Sequence, residues 1–251
     1  MCSSDLGNIE VVRVLLADGA DKDAAMNDGI TPLFMACQDG HLEVVRLLIE
    51  SGADKDKAMD GGVTPLYMAC QEGHLEVVRL LIAGGANKDK DKATDCGITP
   101  LLLASTCDQG YLEVVKLLIE SGADKDKAEN GGWSPLHLAS EGGMVDIAKM
   151  LIRGGAAKDA LNNEDETPLH LAARDDHLEV VKLLLLAFAN DYSTRPVADK
   201  HRMFRMNLKF LKETKMATMT TWLVSPCRET ISSKGSVTFR ARTGLLPLVS
   251  M

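Results

Sequence analysis

The chain has 251 residues and a formal net charge of −8, and its apolar content of 45% suffices for one or two compact domains with a sizeable core. Aromatic residues make up only 4%, which favours thin helical layers over a deep globular core or an aromatic platform for nucleic acid. No apolar run approaches the ~20 residues that a membrane-spanning helix needs, and residues 1–10 lack the basic and apolar segments of a signal peptide.

The six cysteines form no C-x-x-C pair and show no zinc-like spacing, so a reduced, intracellular setting is the simplest interpretation. We therefore expect a cytoplasmic protein, with a nuclear location as the alternative. Cys37 and Cys70 occupy the same position of an internal repeat. A small packed residue is expected there, so packing is favoured over a reactive role.

The internal repeat organises most of the chain. Thr/Ser-Pro-Leu motifs start at Thr31, Thr64, Thr99, Ser134 and Thr167, at intervals of 33, 35, 35 and 33 residues. In the second unit, Thr64 can cap a helix that starts at Pro65, and Gly73 can end this helix in a left-handed turn. A second helix is predicted over residues 74–83. It is apolar around most of its surface, so it must be covered on more than one side.

This period, together with the T-P-L-H and G-H-L-E-V-V-x-L-L-x-x-G-A-D motifs, resembles the ankyrin repeat, most closely in residues 134–139 (SPLHLA) and 167–172 (TPLHLA). The resemblance covers about residues 1–191. It implies an all-α ankyrin-repeat solenoid of helix-turn-helix units with hairpin-like turns. About five full repeats start near residues 27, 60, 95, 130 and 163, after a partial repeat in residues 1–30.

Residues 1–30 align with the second half of a repeat, and the first helix of that repeat is missing. Val11, Val14 and Leu15 would then lie at an exposed edge. Because the ends of a solenoid need polar caps to stay soluble, this edge favours a covering element. We consider two interpretations: the protein starts with a half repeat, or the sequence is a fragment of a longer ankyrin repeat protein.

The histidine of T-P-L-H is retained only as His137 and His170, and Phe34, Tyr67 and Leu102 replace it in the first three repeats. The resemblance implies that this histidine bonds back to the capping residue. We therefore expect the first three turns to be held by packing alone.

The third repeat is irregular because it contains two additions. One enlarges the turn at residues 88–95. The other, around residues 105–108, either lengthens the connection between the two helices or adds a partial turn to the first of them. Insertions in solenoids map to surface loops and often to the binding side, so we expect a local bump that helps to select the partner.

The fifth repeat departs from the pattern at its turns. Asp165 and Asp176 replace two turn glycines, and aspartate tolerates the left-handed conformation. Phe188 stands where the Gly-Ala-Asp of the other repeats begins. We therefore expect the last helix to continue past the usual end, with apolar surface that still needs cover.

Residues 192–251 lose the period and change the charge. Eleven Lys and Arg against three Asp and Glu give +8, whereas 17 basic and 33 acidic residues give −16 for residues 1–191. Residues 201–215 can form an amphipathic helix, for which three interpretations remain: a cap on the last repeat, a basic arm for acidic partners or membrane surfaces, and unstructured sequence. Beyond Val224 we expect mostly disorder, with a short strand at residues 237–240.

No pattern in the sequence predicts catalysis, a cofactor or a metal site. His41, His74 and His177 share a turn position that Tyr111 and Met144 occupy in other repeats, which is typical of a structural residue. The sequence has no phosphate-binding glycine loop and no nucleophile elbow. We therefore expect a protein that is not an enzyme and needs no cofactor.

The Asp-Lys runs, such as residues 54–57, lack the spacing and closing glutamate of a calcium loop and are interpreted as solvated hairpin-like turns. Within these turns, Lys55 and Lys125 replace an apolar residue of the family pattern, which is expected to weaken packing between hairpins.

The resemblance implies a protein–protein interaction module or adaptor that binds a protein partner on a concave surface made by hairpin tips and first helices. Carried over residue by residue, the family's contact positions are Asn27, Asp28, Ile30, Gln38, Asp39, Asp60, Val63, Gln71, Glu72, Asp95, Cys96, Ile98, Asn130, Trp133, Glu141, Glu164, Glu166, Arg174 and Asp175. Trp133 is the favoured hot spot, with packing under its hairpin as the alternative.

The contact set is mostly acidic, so we expect it to bind a basic patch of a partner or the chain's own tail. We expect no nucleic acid on the repeats, because their charge of −16 repels phosphate. We also expect a monomer. The alternative function is the substrate-recruiting part of a larger enzyme or signalling protein. The tail itself is too short and too polar for a usual catalytic domain.

Overall fold

The computed structural model describes residues 3–86, 91–106, 111–194, 227–231 and 237–241, and it describes side chains only within residues 9–188. This part of the chain holds eleven α-helices, one 3-10 turn (Asp60–Gly62) and two β-strands. The helices are α1 (Ser3–Ala17), α2 (Pro32–Gln38), α3 (Leu42–Glu50), α4 (Pro65–Gln71), α5 (Leu75–Ala83), α6 (Pro100–Ala104), α7 (Leu112–Glu120), α8 (Pro135–Glu141), α9 (Val145–Arg153), α10 (Pro168–Arg174) and α11 (Leu178–Thr194).

The chain divides into two compact units, Met1–Leu184 and Leu185–Met251. The first unit is the stack of repeats. The even-numbered helices α2 to α10, which we call the inner helices, contact one another in sequence. The odd-numbered helices are the outer helices, of which α1 to α9 also contact one another in sequence. The inner helices α2, α4, α6 and α8 each pack on the outer helix that follows them. The all-α repeat architecture is confirmed for this unit.

Each inner helix begins at a hydroxyl residue followed by proline. The Oγ1 atoms of Thr31, Thr64 and Thr99 each accept the backbone N–H of the third helical residue at 3.1 Å. The expectation that packing alone holds the first three turns is therefore wrong, because the threonine hydroxyl caps these helices without the motif histidine.

In the last two repeats the motif histidine adds a second bond. The backbone N–H of Ser134 donates to Nδ1 of His137 at 3.2 Å, and that of Thr167 donates to Nδ1 of His170 at 2.9 Å. The bond that the family resemblance implied is confirmed at both positions.

Two columns of leucine form the core between the layers. The inner helices contribute Leu33, Leu66, Leu101, Leu136 and Leu169, and the outer helices contribute Leu48, Leu81, Leu118, Leu151 and Leu184. All ten side chains are at most 2% exposed. The outer helix α5 contacts α3, α4 and α7, which confirms that such an apolar helix is covered on several sides.

The turn between an inner and an outer helix needs a left-handed residue. Gly40 has φ +72°, and a Cβ atom there would lie 2.6 Å from the imidazole of His74. Both the dihedral angle and the close approach therefore select glycine. Asp176 and Asp165 take the same region at φ +60° and +59°, which confirms that aspartate replaces glycine in these two turns.

The third repeat differs from its neighbours at α6, which has five residues where α4 has seven. The Ser105 hydroxyl donates to the carbonyl of Leu101 and the Thr106 hydroxyl to that of Leu103, both at 2.7 Å, and such bonds offer the backbone an alternative to another helical turn. Seven residues separate α6 from α7, whereas three separate α4 from α5.

The addition thus lengthens the connection and does not extend the helix. Residues 87–90 and 107–110, which include parts of both additions, lie outside the described residues.

The first and last helices of the stack both extend beyond their counterparts. α1 begins at Ser3, six residues before Ile9, which aligns with the start of α3 at Leu42. α11 continues through Phe188 to Thr194, which confirms the expected extension. Phe188 is buried, whereas Leu186 is 60% exposed.

In the second unit, β1 (Cys227–Ile231) pairs antiparallel with β2 (Val237–Ala241). β2 contains the short strand expected at residues 237–240. β1 was not expected, because we interpreted the chain beyond Val224 as mostly disordered; its Thr230 and Ile231 suit a strand. The possible helix at residues 201–215 lies outside the described residues. None of the helices in the described ranges is both long and apolar enough to cross a membrane.

Candidate functional site

Five short hairpins, one before each inner helix, carry most of the candidate contact residues. Each hairpin is closed by a hydrogen bond from the N–H of its first residue to the carbonyl of its fifth. The bonded pairs are Met26–Ile30 (2.9 Å), Met59–Val63 (2.9 Å), Thr94–Ile98 (3.0 Å), Glu129–Trp133 (3.1 Å) and Asn162–Glu166 (3.0 Å). Ile30, Val63, Ile98, Trp133 and Glu166 therefore hold equivalent places.

Backbone hydrogen bonds also join each hairpin to the next, in a row that we call the hairpin row (residues 26–30, 59–63, 94–98, 129–133 and 162–166). The N–H···O pairs are Asp60 to Asp28 (2.9 Å), Asp95 to Gly61 (3.0 Å), Asn130 to Cys96 (3.2 Å) and Asn163 to Gly131 (2.9 Å). In every pair the later repeat donates. The row thus brings candidates from all five repeats into one continuous strip.

Two asparagine side chains reinforce this strip. The amide of Asn130 donates to the carbonyl of Asp95 at 3.2 Å, and that of Asn163 donates to the carbonyl of Asn130 at 3.0 Å. Asn163 was not among our candidates. Asn163 holds the same hairpin position as Asn27, Asp60, Asp95 and Asn130, so the repeat alignment could have identified it. We selected Glu164 and Glu166 in the fifth repeat instead.

The second group of candidates lies at the carboxyl ends of the inner helices. Aromatic rings from the following repeat bond to carbonyls there: Nε2 of His74 to Gln38 (3.0 Å), the hydroxyl of Tyr111 to Gln71 (2.9 Å) and Nε2 of His177 to Glu141 (2.7 Å). The interpretation of this column as structural agrees with these contacts. These bonds hold the backbone carbonyls of three candidate residues, Gln38, Gln71 and Glu141, in place.

All of the candidate residues are at least partly accessible. Ile30, Val63, Ile98, Trp133, Glu141 and Glu166 are half-buried, and the other members of the set are exposed. The set contains nine carboxylates and one guanidinium, so the candidate surface carries a formal charge of −8.

Arg174 is the one basic member of this set, and it is shared by three carboxylates. Its guanidinium lies 3.0 Å from Oε1 of Glu141, 3.3 Å from Oε1 of Glu166 and 3.3 Å from Oδ1 of Asp175. The hydrogen bond to Asp175, and then the three negative charges, raise the pKa of Arg174 above its ordinary value. The carboxylates of the fourth and fifth repeats are therefore partly neutralised.

Trp133 closes the fourth hairpin and is half-buried. Its ring meets that of His137 edge-on, with 6.3 Å between centroids, and its backbone N–H donates to Oε1 of Glu129 at 3.3 Å. Part of the indole thus packs against the repeat, and the rest is accessible to a partner.

His137 links the fourth repeat to the segment that leads into the fifth. It is fully buried, and its Nε2 lies 3.1 Å from the carbonyl of Ala160 and 3.2 Å from that of Glu166. Burial lowers the pKa of His137, against the opposing effect of these carbonyls and of the Glu166 charge. The neutral ring positions Glu166, the closing residue of the last hairpin.

Hydrogen bonds between consecutive Asp-Lys turns also join neighbouring repeats, in addition to those of the hairpin row. Asp54 donates its N–H to Oδ1 of Asp23 at 2.8 Å, and the Lys57 ammonium donates to the carbonyl of Asp23 at 2.8 Å. These turns are therefore bonded between repeats as well as solvated. The bonds persist although Lys55 and Lys125 replace an apolar residue of the family pattern.

We find no arrangement of three or more His, Cys, Asp or Glu side chains suited to a metal ion within the described ranges. Cys37 and Cys70 are free and buried. Burial raises the pKa of the Cys37 thiol to about 12, and burial followed by the nearby Cys37 raises that of Cys70. Both thiols stay protonated and unreactive at neutral pH, in agreement with a packing role.

A comparison with protein families matches the chain to a model described as ankyrin repeats, in three copies at residues 1–92, 58–129 and 103–195. Together these ranges include all eleven helices. A search of curated proteins finds no match.

Proposed function

Because the chain belongs to the ankyrin-repeat family, whose members are typically non-catalytic protein-interaction modules, we propose that it is an adaptor that binds a protein partner. The partner docks on the concave surface made by the hairpin row and the carboxyl ends of the inner helices. The observation that carries this proposal is the continuous row of bonded hairpins, which presents accessible side chains from five repeats on one rigid strip. Preorganised side chains lose less entropy on binding.

The charge of this strip supports a partner with a basic patch. In the first three repeats Asp28, Asp39, Asp60, Glu72 and Asp95 are exposed, and no Lys or Arg belongs to the candidate set there. Complementary charge speeds encounter and selects partners more than it raises affinity. The charge of −16 over residues 1–191 disfavours nucleic acid, because phosphate would be repelled.

Trp133 is the proposed hot spot of the surface. A half-buried tryptophan that is held against His137 loses little freedom on binding and still offers a large apolar contact. Truncation of a hot-spot residue costs at least about 2 kcal/mol of binding free energy.

We also propose that residues 1–191 form the binding module, that the basic residues 192–251 are a separate tail, and that the protein acts as a monomer in the cytoplasm or nucleus. The free thiols of Cys37 and Cys70 fit a reducing compartment.

The test compares two pairs of charge reversals in the full chain. Asp60→Lys with Asp95→Lys changes the hairpin row, and Glu76→Lys with Glu113→Lys makes the same change in charge on the outer helices α5 and α7. Proteins captured from cell lysate are identified by mass spectrometry at low and high salt, and the Trp133→Ala variant is run beside them.

We expect one partner to be retained by the wild-type chain and the outer-helix variant, lost from the hairpin variant, and weakened by Trp133→Ala and by salt. Capture that is indifferent to the hairpin reversals, or is lost equally with the outer-helix reversals, would contradict the proposed surface.

A further inference from the structure

Asn130 is followed by glycine, and it is the only asparagine of the chain that is. It lies at the tip of the fourth hairpin, where the N–H of Gly132 donates to the carbonyl of Glu129 at 2.9 Å. Asn130 and Gly131 are therefore the two central residues of a tight turn. The asparagine is exposed, so water reaches its side-chain amide.

The Asn130–Gly131 pair places an unhindered backbone nitrogen next to a side-chain amide. When the nitrogen of Gly131 attacks Cγ of Asn130, the new N–Cγ bond closes a succinimide ring. The bond from Cγ to the side-chain nitrogen breaks, and that nitrogen leaves as ammonia with the proton of the Gly131 N–H. Water then opens the ring at either of its carbonyls, which gives aspartate or isoaspartate. Glycine favours this attack because it has no Cβ beside its nitrogen and because its backbone turns freely.

The fifth repeat contains a matched asparagine that lacks the glycine. Asn163 holds the same hairpin position, and both asparagines are exposed. Each side-chain amide donates to a carbonyl of the preceding hairpin, at 3.2 Å for Asn130 and 3.0 Å for Asn163. The residue that follows Asn163 is Glu164, whose side chain crowds the attacking nitrogen. Asn130 is therefore the more reactive of the two.

Asn130 also holds the hairpin row together on both sides. Its N–H donates to the carbonyl of Cys96 and its amide to that of Asp95, both at 3.2 Å, and its own carbonyl accepts the amide of Asn163. Aspartate at this position would lose the amide donor and add a carboxylate next to the third hairpin, which already carries Asp95. Isoaspartate would also lengthen the main chain by one carbon, which would shift the N–H and the carbonyl out of register.

We propose that Asn130 is a site of spontaneous deamidation, and that its conversion uncouples the third repeat from the fourth. The reaction needs only water and the nitrogen of Gly131, so it advances with the age of the protein and requires no enzyme. The modified residue lies within the hairpin row, which is the proposed docking surface. Loss of a partner with age is a consequence that rests on the proposed function, whereas the deamidation itself does not.

The test incubates the full chain at mildly alkaline pH and follows its peptides by mass spectrometry. Electron-transfer fragmentation distinguishes aspartate from isoaspartate. The control variant is Gly131→Ala, since the φ of Gly131 lies outside the left-handed region and Asp28, Cys96 and Glu164 hold the same place in other hairpins. An added Cβ would lie 2.4 Å from the carboxylate of Glu129, which is the end of a flexible side chain and can move.

We expect Asn130 of the wild-type chain to deamidate at least about tenfold faster than Asn163, and Gly131→Ala to slow the reaction at Asn130 at least about tenfold. The aged wild-type chain should unfold at a lower urea concentration than the fresh chain. Its amide hydrogens should exchange faster in the third and fourth hairpins than in the first. Aged Gly131→Ala should match its own fresh sample in both measurements.

Four results would overturn the proposal. Asn130 that stays unmodified, equal rates at Asn130 and Asn163, or an unchanged rate in Gly131→Ala would each exclude the site. A chain that is converted at Asn130 and keeps its urea midpoint and its exchange rates would exclude the uncoupling. Neither readout involves a partner, so these results are separate from those that test the docking surface.

Discussion

The Nε2 atom of His137 lies 3.1 Å from the carbonyl oxygen of Ala160, so a side chain of the fourth repeat bonds directly to the segment that leads into the fifth. The opposite nitrogen, Nδ1, accepts the backbone N–H of Ser134 at 3.2 Å. A carbonyl can only accept and a backbone N–H can only donate. The contacts are therefore satisfied only by the neutral imidazole with its proton on Nε2.

Acidification should destabilise the protein through His137. Burial lowers its pKa in the folded state, so below the unfolded value of about 6.5 the unfolded chain binds more protons than the folded one. The contribution of neutral His137 to the free energy of unfolding is therefore complete above about pH 6.5. It falls as the pH drops, by at most about 1.4 kcal/mol per pH unit.

Urea unfolding between pH 5 and 8 measures this slope. His137→Leu copies the third repeat, where Leu102 holds the position, and should reduce the slope while costing about 1–3 kcal/mol at pH 7.5 for the lost hydrogen bonds. His41→Gln, at an exposed turn, is the matched control. If the pH dependence of the unfolding free energy is unchanged in His137→Leu, it does not arise from His137.

Two glycines of the fourth repeat should respond differently to alanine. Gly143 has φ +67°, and an added Cβ would lie 2.5 Å from Nδ1 of His177; Gly155 has φ +89° and open space around it. Gly155→Ala should cost only backbone strain, about 1–2 kcal/mol. Gly143→Ala should cost about 1 kcal/mol more, because His177 must leave the carbonyl of Glu141. Equal urea midpoints for the two variants would show that the ring moves freely.

Two buried serines at equivalent repeat positions, Ser105 just after α6 and Ser140 in α8, should behave in opposite ways. The Ser105 hydroxyl donates to the carbonyl of Leu101, whereas the buried Ser140 hydroxyl has no hydrogen-bond partner among the described residues. Ser140→Ala should be neutral or stabilising, because it removes an unsatisfied buried polar group, and Ser105→Ala should cost about 1 kcal/mol. Chemical denaturation of both variants checks the contrast, and a cost at Ser140 comparable to that at Ser105 would contradict it.

Arg174 should contribute to stability in a salt-dependent manner. Its contacts with Glu141, Glu166 and Asp175 form a network, but the side chain is 45% exposed, so Arg174→Gln should cost no more than about 1 kcal/mol. The matched control is Arg79→Gln, because Arg79 faces the single carboxylate of Glu76 at 3.7 Å. Thermal unfolding at low and high salt should show a larger and more salt-sensitive effect at Arg174. Equal effects at the two arginines would mean that the network adds nothing.

Much of the fold was predictable because its determinants are local. Thr64, Pro65 and Gly73 each act within one turn of chain, and the structure places a cap, a first helical residue and a left-handed turn at these positions. Asp176 and the extension past Phe188 were predictable for the same reason.

The contacts between repeats were harder to predict. His74 and Tyr111 bond to carbonyls 36 and 40 residues earlier in the chain. These bonds depend on how the repeats stack, and the repeat period alone does not specify that geometry. The Asp-Lys turns are a related case: their charge indicated solvation, and only the structure shows that Asp23 also accepts bonds from Asp54 and Lys57 of the next repeat. Exposure of Leu15 was expected from its place at the edge of the stack, but its contrast with the equivalent Leu48 of α3, which is 2% exposed, required coordinates.

The short helix α6 has a consequence for how the array comes apart. In a linear array each repeat is stabilised by its neighbours alone, so unfolding spreads from one unit to the next and stops where the coupling is weakest. α6 offers two residues fewer than α4 or α8 to the helices on either side. The third repeat is therefore the expected breakpoint of cooperativity, at which the two repeats before it and the two after it can melt as separate blocks.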